Sequence, residues 1–159
     1  MLTLCRRPSP ETEQLIALLQ RVTSASVTID QETVASIGHG MLALLGVERG
    51  DDAECARRLA QRLLAWRMFA DDQGRMNLNL QQTGGSLLLV PQFTLAADTN
   101  SGNRPSFTAA APPDVGRELF DLVQDKLKAS PVTLASGRFG ADMQVSLVND
   151  GPVTFWLQT

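Results

Sequence analysis

Near the C-terminus the apolar positions fall in two alternating runs. Met143, Val145 and Leu147 share one face, with Gln144 and Ser146 on the other, and Val153, Phe155 and Leu157 alternate with Thr154, Trp156 and Gln158. A period of two predicts strands. Between them, Asn149-Asp150-Gly151-Pro152 reads as a polar β-turn. Gly151 has no side chain and Pro152 no N–H, so this unit can offer bare backbone carbonyls to a ligand. At the other end, Leu15 to Ile29 also reads as β: an apolar run to Leu19, then Val22, Val27 and Ile29 among small hydroxyl residues. Asp30-Gln31-Glu32 turns the chain into Val34–Ile37, and Gly38-His39-Gly40 turns it into a buried strand over Met41–Val47.

Two segments change period. Ala56, Leu59, Ala60, Leu63 and Leu64 fall at i, i+3, i+4, i+7 and i+8, which predicts a helix with one apolar face. Asp51 is placed to cap it, with Glu54 as capping-box partner, and Arg57, Arg58 and Arg62 lie on the solvent side. Asp71-Asp72-Gln73-Gly74 is a turn before a short Arg75–Leu80 segment. Gly84-Gly85 then launches Ser86–Val90, an apolar run of parallel-sheet type. Pro91-Gln92-Phe93-Thr94-Leu95 follows directly; on residue type alone Thr94 reads as a strand residue and Phe93 as core packing. After a polar loop from Asp98 to Asn103, Pro112-Pro113-Asp114 opens a second helix with the stripe Val115, Leu119, Leu122, Val123 and Leu127, and Pro131 stops it. A β-rich chain with two amphipathic helices is α/β or α+β.

Composition narrows the chemistry. The 159 residues make one domain, with residues 1–14 expected as a polar N-terminal extension ahead of it. No apolar run nears the ~20 residues of a membrane span. The opening residues do not have the order of a signal peptide. Cys5 and Cys55 stand in unrelated contexts, suggesting neither a disulfide framework nor a metal site, and a reducing cytoplasm fits best. A single histidine, His39, sits between glycines in a predicted turn, so a Ser-His-Asp arrangement has no obvious members. There is no phosphate-cradling loop either, because Gly84-Gly85 precedes a strand. No cofactor is expected.

Asn149-Asp150-Gly151-Pro152-Val153-Thr154 nevertheless resembles the Asn-X-Gly-Pro-X-Thr signature of D-aminoacyl-tRNA deacylases, the D-tyrosyl-tRNA(Tyr) deacylase family. A second signature of that family, Ser-Gln-Phe-Thr-Leu, is similar to Pro91-Gln92-Phe93-Thr94-Leu95. Gln20-Arg21-Val22, Met76-Asn77-Leu78-Asn79, Arg104-Pro105-Ser106-Phe107 and Gly137-Arg138-Phe139 also match, so the resemblance runs from about Leu15 to Thr159. It implies a three-layer α/β/β domain, a homodimer, and hydrolysis of the ester of D-aminoacyl-tRNA with L-aminoacyl-tRNA spared. It also implies clearance of glycyl-tRNA(Ala).

The same resemblance implies Gln92, Phe93 and Thr94 as catalytic positions. Phe139 and Met143 are implied to line the amino-acid pocket, and Gly151, Pro152 and Asn149 to form the substrate loop, braced by Arg21. The loop is implied to enter the partner subunit's site with a cis Gly151-Pro152 bond. An ester on a tRNA 3′ end is already activated, so a fixed pose and main-chain N–H groups on the oxyanion suffice in principle. Whether the Thr94 hydroxyl attacks or the tRNA 2′-hydroxyl takes part stays open. One position departs from the pattern: Pro91 stands where the family has Ser, removing a hydroxyl and an N–H. That keeps a rival reading, a non-catalytic module that binds aminoacyl-tRNA. With a net charge of −3 and a pI near 5.1, tRNA would be held at its acceptor end by a local patch drawn from Arg57, Arg58, Arg62, Arg104 and Arg138.

Overall fold

A computed structural model describes residues 14–159. The expected N-terminal extension lies, but for its last residue, outside the described residues. The organising element is the long strand β1 (Ile16–Ile29). One edge of β1 pairs antiparallel along nearly its whole length with the last strand, β8 (Gln144–Gln158). The other edge is shared. Its first half pairs with β3 (Gly40–Gly46) and its second half with β2 (Glu32–Ile37), both antiparallel. From β3 the sheet continues parallel into β6 (Ser86–Pro91) and β7 (Leu134–Ser136). Two short strands, β4 (Phe69–Ala70) and β5 (Met76–Leu78), pair separately.

Alternation along β3 and β6 explains the packing. Met41, Ala43, Leu45, Leu87 and Leu89 join one core with helices α1 (Ala53–Ala65) and α3 (Pro113–Lys128). Leu42, Leu88 and Val90 point the other way, into a second core with Val22, Ala25, Val27, Ala35 and Ile37. Strands buried on both faces read as continuous apolar runs, which is why Met41–Val47 and Ser86–Val90 do. The fold is therefore α/β, and the β layers expected from the resemblance are parts of one mixed six-stranded sheet that nearly closes into a barrel.

Four local expectations are corrected. The cap of α1 is Asp52, whose carboxylate accepts from the Cys55 N–H at 2.9 Å; Asp51 instead accepts from the Glu48 N–H at 2.7 Å, one residue too early. Glu54 then sits in the first turn, 3.2 Å from Arg57, rather than in a capping box. A second helix, α2 (Leu80–Thr83), stands where none was predicted, closed by reciprocal bonds between Asn79 and Gln82. Four residues carry too little periodicity to be seen in sequence. Third, Phe93–Ala96 is a 3₁₀ turn and not strand.

The fourth correction is the turn near the C-terminus. Asn149 to Val153 do not separate two strands but bulge out of one. Gln20 pairs with Thr154, yet Val22 pairs with Asn149, so β8 spends five positions where β1 spends two. A bulge leaves the extra backbone unpaired and aims it out of the sheet.

Candidate active site

The 3₁₀ turn exists because β6 runs out of partners. The Gln92 N–H makes the last ladder bond, to the Leu45 carbonyl at 2.7 Å. The chain then coils, with the Leu95 N–H bonding back to the Gln92 carbonyl at 3.2 Å. Gly46 makes room for it: a Cβ there would come 2.9 Å from the Leu95 Cβ and 3.2 Å from the Gln92 carbonyl oxygen. The opening N–H groups of any helix have no intrahelical acceptor. Here these are Phe93 and Thr94, and no side chain caps the turn. The Gln92 amide bonds instead to the Thr94 hydroxyl.

Beside this turn lies a cavity of about 470 Å³, within the roughly 300–1,000 Å³ usual for small-ligand sites. Pro91, Gln92 and Phe93 form one side, Phe139 and Met143 another, and Gly116 and Phe120 of α3 the floor. Its lining is mostly apolar, and Asp142 is its one ionisable residue. Two glycines let the walls close up. A Cβ on Gly116 would meet the Phe139 ring at 3.2 Å, and one on Gly137 would meet the Met143 sulfur at 2.7 Å. On its other side the Phe139 ring carries the Arg117 guanidinium, 5.2 Å from the centroid.

Thus four of the expected residues, Gln92, Phe93, Phe139 and Met143, come together around one cavity. Thr94 stands next to it, exposed and held by Gln92. The other four form a separate group: Asn149, Gly151 and Pro152 on the β8 bulge, and Arg21 on β1 beside it. Arg21 donates from Nε to the Asp150 carbonyl at 2.9 Å and from Nη1 to the Met68 carbonyl at 3.0 Å. Asn149 clamps the bulge from within: its side-chain oxygen accepts from the Val153 N–H at 2.8 Å, and its amide donates to the Val153 carbonyl at 3.1 Å. The Gly151-Pro152 bond is cis, as expected. Gly151 admits no side chain, since a Cβ would lie 2.5 Å from the Val153 nitrogen. Gly151 and Pro152 are exposed and do not line the cavity of their own chain.

Sequence reasoning missed Gly46, Gly116 and Phe120. Phe120 had a signal, since it follows Gly116 at i+4 and precedes Val123 and Leu127 on the buried stripe. Gly46 had none. None of the groups with a displaced pKa lines the cavity. The backbone N–H of Cys55 holds Asp52 below the usual carboxylate range, and that of Arg75 does the same for Asp71. Burial pushes Glu48 and Cys55 up. His39 is exposed, its ring 5.3 Å from Phe69. Among the described residues no His, Cys, Asp and Glu gather as a metal-ligand set.

Three arginines of the expected RNA patch are engaged within the chain. Arg57 pairs with Glu54; Arg58 reaches the Cys55 sulfur at 3.6 Å; Arg62 donates to the Gln158 carbonyl at 3.0 Å and lies over Trp66. Arg104 and Arg138 are exposed. No helix among the described residues is long and apolar enough to cross a membrane.

An apolar cavity beside uncapped N–H groups, in an α/β domain, suits a hydrolase whose substrate brings its own activated acyl group. Comparison with known proteins makes this specific. The sequence profile of D-Tyr-tRNA(Tyr) deacylase matches residues 18–158. The D-aminoacyl-tRNA deacylase of Methylococcus capsulatus is 61% identical over 144 residues, covering 91% of this chain and 94% of the relative. That of Cronobacter sakazakii is 57% identical over 144 residues, covering 91% and 99%. Among solved structures, the c-Myc DNA unwinding element binding protein superimposes with a TM-score of 0.86 at 34% identity, over 91% of this chain and 98% of its own. A probable eukaryotic D-amino acid tRNA deacylase shares the fold, with a TM-score of 0.78 at 18% identity, over 92% of this chain and all of its own. The chain belongs to the D-aminoacyl-tRNA deacylase family, hydrolases that act on D-aminoacyl-tRNA.

Proposed function

We propose that the cavity beside the 3₁₀ turn holds the aminoacyl group of tRNA and that the Phe93 and Thr94 N–H groups stabilise the oxyanion. Water adds to the ester carbonyl, the carbonyl oxygen takes the negative charge, and the ribose oxygen leaves with a proton. The free amino acid and the intact tRNA 3′ end result. The observation that carries this reading is the pair of opening N–H groups of the turn, uncapped and adjacent to an apolar cavity. Gln92 holds the Thr94 hydroxyl, which makes Thr94 a poor nucleophile without a base. The ribose 2′-hydroxyl of the substrate is the polar partner in this reading. No metal or cofactor enters the scheme. Pro91 is compatible with it, because the Gln92 N–H, not that of residue 91, makes the last ladder bond.

Chirality is read by backbone. A side-chain pocket would sort substrates by size, whereas the enzyme must take many D side chains and refuse every L one. Gly151 and Pro152 form a rigid wall of carbonyls that collides with the wrong hand at Cα. The bulge is exposed and outside its own chain's cavity, so a second copy is needed to bring it there. The working form is accordingly a cytoplasmic homodimer in which each loop enters the partner's site. Glycine has no Cβ to collide, which extends the substrate range to glycyl-tRNA(Ala). Arg104 and Arg138 are the arginines left to meet the acceptor end, so binding should depend only modestly on salt.

Deacylation of matched D- and L-aminoacyl-tRNA tests the reading. Turnover of the D form with the L form spared is expected. Equal turnover of both would remove the chiral role. Binding without turnover would leave only the rival reading of an aminoacyl-tRNA binding module.

A further inference from the structure

Two consecutive residues of β1 grip the β8 bulge from opposite faces of the sheet. Arg21 works on the helix-covered face, where Met68 and Val153 are buried. Side chains alternate along a strand, so Gln20 points to the other face. There it lies directly across from Thr154, the residue at which regular pairing with β1 resumes after the bulge. The Thr154 hydroxyl oxygen accepts from the Gln20 amide at 3.3 Å and from the Asn149 amide, also at 3.3 Å. Asn149 and Thr154 are the two feet of the loop, and this one hydroxyl joins them to each other and to β1. Neither Gln20 nor Thr154 lines the cavity of its own chain.

Burial alone does not fix where the bulge sits. If β8 slid along β1 by two residues, every side chain would keep its present face, because the strand period is two. The polar pair at the foot removes that freedom. After such a slide the Gln20 amide would stand opposite Pro152 or Trp156, neither of which has a side-chain oxygen to accept from it.

We propose that Gln20 and Thr154 are positioning residues for chiral selection: their hydrogen bond pins the register of β8 and with it the place of the Gly151-Pro152 wall. This rests on the reading above in which the bulge separates D from L. The wall excludes by collision, so a wall that shifts readmits the L form while leaving the D form little affected. Loss of the pin therefore has a signature that a general weakening of the fold lacks: L turnover rises, and D turnover stays.

The test compares wild type with Thr154→Val and Gln20→Met, which keep the side-chain shape and remove one end of the bond. Values of kcat/KM are measured separately on D- and L-aminoacyl-tRNA. Each variant should raise L turnover about three- to tenfold, the worth of one hydrogen bond, with D turnover and Tm nearly kept. The double variant should be no worse than Thr154→Val alone, since both changes break the same bond. Thr154→Ser keeps the hydroxyl and should restore the wild-type ratio. Ser146→Ala is the control on the same ladder: Ser146 pairs with Ser26 farther along β1, and its loss should leave the ratio unchanged. Unchanged D-over-L selectivity in folded Thr154→Val and Gln20→Met, additive effects in the double variant, or an equal loss of selectivity in Ser146→Ala overturns the proposal. Selectivity lost in Arg21→Ala but kept in Thr154→Val would refute this proposal alone. A wild type that does not separate D from L would refute the chiral reading itself, a distinct and recognisable result.

Discussion

Arg21 and Asp150 meet twice: the guanidinium Nε donates to the Asp150 carbonyl at 2.9 Å and lies 3.6 Å from its carboxylate. They are 129 residues apart in the chain. Arg21 is mostly buried, and its other bond, to the Met68 carbonyl, ties the β8 bulge to the segment after α1. A partly buried arginine with two carbonyl acceptors is a brace whose loss frees the bulge.

Arg21→Ala should therefore keep the fold but loosen the loop. The ratio of D to L turnover should fall by about tenfold or more, roughly 1.4 kcal/mol of lost discrimination. Arg21→Lys, which cannot serve two carbonyls with a planar fork, should recover only part of it. Unchanged D-over-L selectivity in a folded Arg21→Ala protein would move chiral reading away from the bulge.

Asn149 and Gly151 shape the same loop from inside. Asn149→Ala removes both bonds to Val153 and should cost about 1–3 kcal/mol of stability, seen as a drop of several degrees in Tm. Gly151→Ala places a methyl against the Val153 backbone nitrogen and should lower both Tm and D-over-L selectivity.

With main-chain groups as the proposed oxyanion donors, Thr94→Ala should keep activity within about tenfold of wild type. Gly46→Val should not, because its side chain pushes directly on Leu95 and the Gln92 carbonyl and shifts the 3₁₀ turn. Circular dichroism and Tm separate that shift from unfolding. Capture of an acyl-Thr94 intermediate on the wild-type pathway would reverse the assignment.

Turnover should survive exhaustive chelation, and His39→Ala should be nearly silent. A loss above about tenfold in either experiment would bring a metal or an imidazole back into the mechanism.

The cap of α1 gives a pH signature. Asp52 is held below the usual carboxylate range by the Cys55 N–H, so its contribution is present above the unfolded-state pKa. It is lost as pH falls through the lower folded value. Asp52→Ala should lower Tm at neutral pH, and the gap to wild type should close in acid. A gap independent of pH would mean that the carboxylate charge is not what caps the helix.

Much of this protein is legible in one dimension because the signals are local. Alternation over Met143–Leu147 and Val153–Leu157 marks β8, the i, i+3, i+4 stripe marks α1 and α3, and continuous apolar runs mark β3 and β6. The two family signatures are likewise read within six residues each. Local patterns do not say what a segment meets. The same alternation is compatible with two strands and a turn or with one bulged strand, and only pairing with β1 chose the bulge. Thr94 has strand propensity, but it coils because β6 loses its ladder at Gln92 and Gly46 leaves room beneath. The residue pattern points to Asp51 as the cap of α1, but the helix begins at Ala53 and the cap is Asp52. One signature supplies only the Pro91–Phe93 side of the cavity: the rest forms where β6, α3 and the segment around Phe139 and Met143 converge, from residues far apart in the chain. Such contacts depend on chain closure in three dimensions, which no spacing along the sequence encodes.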